Sequence, residues 1–181
     1  MKALFVILAL LVWHPALAGD ACSSQLPISL KSALVLTFPN FRVPSVADNL
    51  PEDVQWNLRH HGSGCLGVAA ADFDGNGTKD YVISLTALRG AGAAVVVALF
   101  RNDKWQLRQL SAWPDGRSRL YVSAEEPGKY VRAEALDGPL GSGEVAHFTC
   151  RNAVAVFGGV ESSGVAYCYK NGAWPHVWIS D

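Results

Sequence analysis

A nine-residue segment near the middle of the chain, DFDGNGTKD at residues 72–80, carries oxygen-bearing side chains at its first, third, fifth and ninth positions. Calcium takes six to eight oxygen ligands at about 2.3 to 2.6 Å, so a chain that binds it must curl around one point with alternate side chains directed inward. Gly75 and Gly77 permit that curl, because glycine adopts backbone conformations that other residues avoid. The predicted ligands are Asp72, Asp74, Asn76, Thr78 and Asp80. Thr78, at the seventh position, would offer its backbone carbonyl.

The segment differs from an EF-hand at its end and in its flanks. An EF-hand places a bidentate Glu at position twelve, which is Ile83 here, so either Asp80 coordinates directly or a water completes the shell. The flanking runs, 66–71 and 81–86, are short, apolar and rich in β-formers, which predicts a strand, loop, strand site. The alternative is a metal-free turn that only joins two strands. Repulsion among three carboxylates without a cation favours the ion.

The N-terminus has the features of a secretory signal peptide. Lys2 precedes an apolar run from Ala3 to Trp13, which is too short to span a bilayer, and small residues at Ala16 and Ala18 suit cleavage after residue 18. We therefore expect residues 1–18 to be removed and the protein to act in the periplasm or outside the cell without a membrane span.

Four cysteines, Cys22, Cys65, Cys150 and Cys168, follow the predicted cleavage site, and an even number in an exported chain favours two disulfides. Three pairings are possible. If Cys150 and Cys168 lie on antiparallel neighbours, the turn between them falls near the two glycines at 158–159, and Cys22 then pairs with Cys65. A zinc site is the weaker alternative because the chain has no CxxC pair.

The remaining pattern predicts one mainly β domain at residues 19–181, with a helical N-terminal part at 19–64 and a β part at 65–181. One or two helices are expected, and one of them extends from Pro51 to His60 with acidic residues in its first turn. Short apolar runs then alternate with turn residues, which predicts an antiparallel meander arranged as a sandwich or as blade-like sheets. The predicted strands are 66–71, 80–88, 92–101, 104–111, 118–123, 129–135, 145–150, 153–157, 163–169 and 174–179.

The chain contains one internal repeat. Residues 98–105 (ALFRNDKW) and 167–174 (YCYKNGAW) match at an offset of 69 and each predicts a strand, a two-residue turn and a returning strand. Asn-Asp and Asn-Gly both tolerate the positive φ angles of such a turn. Upstream, the run that begins at Asn152 resembles the run that begins at Asp80, but the residues before Asn152 lack the carboxylates of a calcium loop. Only the first copy is therefore predicted to bind metal.

The acidic loop with its flanking strands, residues 64–83, resembles the FG-GAP and VCBS repeat families. Their motif is an aspartate-rich calcium loop between strands, which implies calcium as the bound ion. The ending, residues 163–181, is similar to that of small exported bacterial proteins with a single loop of this type. Periplasmic inhibitors of lysozyme-like enzymes and immunity proteins against cell-wall hydrolases are also similar, which implies a protein partner of that class.

Composition and motifs narrow the functional classes. A formal net charge of −1, with basic residues scattered among acidic ones, argues against nucleic-acid binding. The serines lack the glycines of a nucleophile elbow and the glycine-rich loop lacks the spacing of a phosphate loop. We therefore expect a non-enzymatic, calcium-stabilised binding module. The alternatives are a hydrolase whose site forms only on folding and a purely structural envelope protein. The oligomeric state is not predicted.

Overall fold

The structure, a computed structural model, describes residues 19–136 and 138–179. The predicted signal peptide lies outside these residues. The described chain is mainly β, with eleven strands in antiparallel sheets and three short helices, which confirms the predicted fold class. Within the described part, no helix is long and apolar enough to span a membrane.

Helices precede most of the strands, as the sequence predicts. The helices are α1 (Ala21–Gln25), α2 (Ile28–Thr37) and α3 (Pro51–His61). The strands are β1 (Phe41–Arg42), β2 (Val68–Ala71), β3 (Asp80–Ala87), β4 (Ala93–Arg101), β5 (Lys104–Trp113), β6 (Leu120–Glu125), β7 (Gly128–Val131), β8 (His147–Cys150), β9 (Val154–Gly159), β10 (Gly164–Tyr167) and β11 (His176–Ile179).

The strands form two larger sheets and one two-stranded sheet. The first sheet has the order β1–β3–β4–β5, and β2 also pairs with β3. The second has the order β6–β9–β10–β11, and the hairpin β7–β8 stands apart from it. The predicted meander is therefore interrupted, because β7 and β8 pair with each other instead of extending the second sheet.

The two larger sheets pack through a shared apolar layer, and other elements cover their outer faces. Apolar residues of α1 and α2 pack on the outside of the first sheet, and β7–β8 pack on the outside of the second. Strand β4 is therefore apolar on both faces, whereas β5 has no second strand neighbour in the described sheet and alternates between exposed and half-buried residues. The shared layer contains Phe73, Val82, Ala93, Val95, Val97, Leu99, Leu120, Val122, Ala155, Phe157, Val165, Tyr167 and Trp174.

Both copies of the internal repeat form two-residue hairpin turns. Arg101 pairs with Lys104 around Asn102 and Asp103, whose φ angles are 49° and 59°. In the second copy, the turn residues at 171 and 172 have φ angles of 51° and 84°. These values belong to the left-handed region that such turns require, so the turn chemistry predicted from the sequence is confirmed.

The disulfides join Cys22 to Cys65 and Cys150 to Cys168, which is the pairing expected from the sequence. The expected geometry for the second bond differs from the observed one. Strand β10 pairs with β9, whereas Cys150 belongs to β8 in the separate hairpin. The Cys150–Cys168 bond therefore connects two layers of the fold and does not cross a hairpin.

Candidate metal centre

The acidic loop connects two neighbouring antiparallel strands. Ala71, the last residue of β2, is the register partner of Asp80, the first residue of β3. The ends of the loop are therefore held side by side by the sheet, and residues 72–79 must reverse direction within a short space. The predicted strand, loop, strand arrangement is what positions the carboxylates.

Three of the predicted ligands converge in the structure. Asp72, Asp74 and Asp80 each offer one carboxylate oxygen, and these oxygens lie within 4.8 Å of one another. Oxygens on opposite sides of a calcium ion at about 2.4 Å would be separated by about 4.8 Å. The spacing of these three oxygens is therefore compatible with a shared metal ion.

Asp72 organises the turn through its backbone contacts. Its Oδ1 accepts hydrogen bonds from the Gly75 and Asn76 N–H groups at 2.8 and 3.1 Å, and its Oδ2 accepts one from Gly77 N–H at 2.8 Å. Gly75 and Gly77 have φ angles of 76° and 80°, which explains the glycines. A carboxylate has about four acceptor positions, so these bonds leave capacity for an ion.

Asp80 anchors the loop to the body of the first sheet. The residue is 0% exposed, and its oxygens accept hydrogen bonds from Phe73 N–H at 3.1 Å and Phe100 N–H at 2.8 Å. Burial raises the pKa of Asp80 to about 6, and the negative charges of Asp74 and Asp72 act in the same direction. The two N–H groups oppose this rise. A bound cation would offset both the burial of this carboxylate and its repulsion by the two others.

The side chains of Asn76 and Thr78 engage each other and the neighbouring hairpin. Asn76 Oδ1 accepts a hydrogen bond from Thr78 N–H at 2.7 Å, and the Thr78 hydroxyl lies within bonding distance of the same oxygen. The Phe100 carbonyl accepts from Asn76 Nδ2 and from Thr78 Oγ1, both at 3.0 Å. These two predicted ligands thus tie the loop to the end of β4, and their coordination of an ion stays a prediction.

The sequence did not indicate that a positively charged side chain lies at the site. The Arg101 Nε donates to Asp74 Oδ2, and the Asp74 side chain has no exposed surface. The guanidinium carbon of Arg101 also lies 4.8 Å from the centre of the Tyr169 ring. A basic residue precedes the turn in both copies of the repeat, at 101 and 170, but this pattern does not indicate that Arg101 faces a carboxylate.

The loop also contacts the second sheet, which its sequence did not indicate. Phe73 is 0% exposed in the layer between the sheets, with its ring 6.5 Å from that of Trp174. Asn152 Nδ2 donates to the Phe73 carbonyl at 3.4 Å. A Cβ on Gly75 would lie 2.8 Å from Asn152 Oδ1, so a side chain at this position would displace the Asn152 amide. Phe73 therefore inserts between the two sheets, whereas residues 75–77 of the loop are exposed.

Comparisons with known protein families, with curated proteins and with solved structures return no match for this chain. The resemblance to calcium-loop repeats depends on the loop residues themselves. That resemblance therefore stays an expectation from the sequence.

Proposed function

We propose that this protein is an exported, calcium-stabilised binding module without catalytic activity, and that it engages a protein partner in the periplasm or outside the cell. The observation that carries the calcium part is the convergence of three carboxylates at the junction of the two sheets. An ion held there would connect the loop to both sheets, since Phe73 and Asp80 already pack into the body of the domain. Calcium would supply positive charge and fixed ligand geometry, and no chemical step is assigned to it.

The two disulfides support the exported location. All four cysteines are paired in the structure, with Cα atoms 5.0 Å apart in one pair and 5.7 Å apart in the other. Disulfides persist in oxidising compartments and are rare in the cytosol, so the protein belongs outside the cytoplasm. Periplasm or secretion is the finer proposal, based on the predicted signal peptide.

The ionisable residues of one surface groove support a non-enzymatic function. This groove, with a volume of about 520 Å³, lies between α2 and β1. Asp20 in its wall accepts N–H bonds from Cys22 and Val46, both at 2.9 Å. Lys31 donates to a backbone carbonyl at 3.3 Å, and Arg42 forms an ion pair with Asp48. These groups hold the fold together, which leaves them poorly placed to act on a substrate.

The outer face of α2 supports binding to a protein. Leu30 and Leu34 are buried against the first sheet, but Ile28 and Leu36 on the same helix are 80% and 83% exposed, and Val35 is more than half exposed. A helix that is apolar on both sides is usually covered on both sides. Neighbouring exposed apolar side chains are typical of surfaces that bind a partner.

The calcium part is tested by thermal unfolding with calcium, with magnesium and with chelator. A site with a dissociation constant of about 1 mM would add about 1.4 kcal/mol of stability at about 10 mM calcium. Asp72→Asn should abolish this gain. Asp103→Asn, a matched change in the exposed turn next to the loop, should preserve it. A stability that is the same in calcium and in chelator for the native chain would refute the calcium proposal.

The partner part is tested in peptidoglycan-lysis assays with purified muramidases, amidases and endopeptidases. We expect the native chain to inhibit one class stoichiometrically and Leu36→Glu to lose inhibition without a change in melting temperature. Leu58→Glu is the matched control on α3, where Leu58 is 46% exposed. Lysis by the protein alone would instead support the hydrolase alternative. Absence of both activities would favour the structural role.

A further inference from the structure

Arg101 brings a positive charge to a loop that is built to hold a cation. Its Nε donates to Asp74 Oδ2, while Asp74 Oδ1 accepts the Asn76 N–H at 3.1 Å. The Asp74 side chain has no exposed surface, and a buried charge needs a partner. The guanidinium is that partner in the metal-free protein.

We propose that the positive charge of Arg101 sets the calcium affinity of the loop, because Arg101 and a calcium ion would both interact with the carboxylate of Asp74. The inference deepens the proposed calcium site and depends on it. A calcium ion among the three carboxylates would lie close to the guanidinium, and the two positive charges repel each other. Arg101 thus stabilises the empty loop and weakens its occupied form.

The same side chain connects the site with the second sheet. The guanidinium of Arg101 lies over the Tyr169 ring, and that ring is 5.3 Å from Trp174, whose indole contacts Phe73 of the loop. Arg101 therefore contacts two side chains, Asp74 in the acidic loop and Tyr169 in the connection between β10 and β11. Both contacts hold the guanidinium beside the carboxylates, so its positive charge opposes an incoming cation.

The experiment is isothermal titration of calcium chloride into the full chain and into three variants. Arg101→Gln removes the charge and should tighten calcium binding at least about tenfold, because a unit charge at this range shifts an ionic equilibrium by about one to three powers of ten. Arg101→Lys keeps the charge and should stay within about threefold of the native chain. Arg108→Gln, which removes a guanidinium that donates to the Gly172 carbonyl at 2.9 Å, should leave the affinity unchanged.

Melting in chelator supplies the second measurement. Arg101→Gln should melt below the native chain in chelator, and calcium should recover most of the loss. Equal or weaker calcium binding by Arg101→Gln would overturn the inference, as would an equal gain in Arg108→Gln. If Arg101→Gln does not fold, a more than threefold affinity change in Arg101→Lys would overturn it.

The native chain tests the proposed function separately. If the native chain binds no calcium but Arg101→Gln does, the calcium part of the proposed function fails and Arg101 is upheld as the cation that excludes the ion. If neither binds calcium, both proposals fail.

Discussion

The two copies of the internal repeat differ in how the chain that leads into them is held. In the first sheet this chain leads into β3, and in the second sheet it leads into β9. Before β3, the carboxylates of residues 72–80 bind backbone N–H groups around a candidate ion site. Before β9, only residues 151–153 intervene, and the chain is held by the disulfide between Cys150 and Cys168. The first connection is held by charged side chains, whereas the second is held by a covalent bond.

One pair of equivalent residues shows how the two connections diverged. Asp80 accepts two backbone N–H bonds within its own sheet, but its counterpart Asn152 donates to the Phe73 carbonyl in the loop of the other sheet. A carboxylate can only accept when ionised, while an amide can also donate. The second copy thus lacks the charge for a metal and instead braces the loop of the first.

The largest expected effect comes from Asp80→Ala. The substitution leaves the N–H groups of Phe73 and Phe100 without acceptors and removes a proposed ligand, so the unfolding free energy in about 10 mM calcium should fall by about 4 kcal/mol. Asn152→Ala breaks one bond of 3.4 Å and should cost about 1 kcal/mol. Urea denaturation measures both. Equal losses would contradict the contrast between the two copies.

The next effect comes from the covalent connection. Replacing Cys150 and Cys168 by alanine opens a loop with a sequence separation of 18, which should cost about 3 kcal/mol. Calcium should stabilise this variant as much as it stabilises the native chain, because the acidic loop is not altered. Melting curves with calcium and with chelator provide the comparison, and loss of the calcium response would show that the two connections are coupled.

A smaller effect should follow from exchanging the turn residues of the two hairpins. Asp103 has a φ of 59°, so Asp103→Gly should relieve a left-handed conformation and raise stability by up to about 1 kcal/mol. Gly172, with a φ of 84°, should lose a similar amount as Gly172→Asp. Urea midpoints report both changes. If both substitutions raise the urea midpoint, or both lower it, contacts other than backbone strain determine the stability at these two positions.

The smallest effect should appear in the pH dependence between pH 5 and 7.5 in chelator. Burial lowers the pKa of His176 below its usual 6.5, so its contribution to stability is present above pH 6.5 and declines as the pH falls. Asp80 has the opposite sign, because its pKa of about 6 in the folded state favours folding as the pH falls below 6. His176→Gln should therefore make the protein relatively more stable at pH 5 than the native chain is. An unchanged profile would remove His176 from this account.

The strand pattern could be predicted because it depends on local chemistry. Apolar runs bounded by glycine, asparagine and proline correspond to observed strands, and the turns at 102–103 and 171–172 need residues that tolerate positive φ. Helix α3 begins at Pro51 as predicted and extends one residue further, to His61. Three features were not predicted, namely three helices where one or two were expected, strand β1 within the part predicted to be helical, and the separation of β7–β8. All three depend on which faces and edges of the elements meet, and periodicity does not encode that choice.

The candidate site was predictable only in its own segment. The order of Asp72, Asp74 and Asp80 indicates the cluster, since alternate residues of a tight turn point inward. Arg101 and Asn152 lie 20 or more residues away along the chain, and neither has a local signal that connects it with the loop. The pairing of β3 with β4 brings Arg101 to the loop, and the packing of the two sheets brings Asn152 there.

The sequence by itself determined the hairpin turns and the acidic loop, because these depend on the backbone preferences and charges of adjacent residues. The tertiary structure alone decided that Phe73 is buried between two sheets and that Arg101 neutralises Asp74. It also decided that the outer face of α2 is left exposed. Burial and long-range charge pairing depend on which surfaces approach each other, and the ionic properties of the loop follow from that approach as much as from its own aspartates.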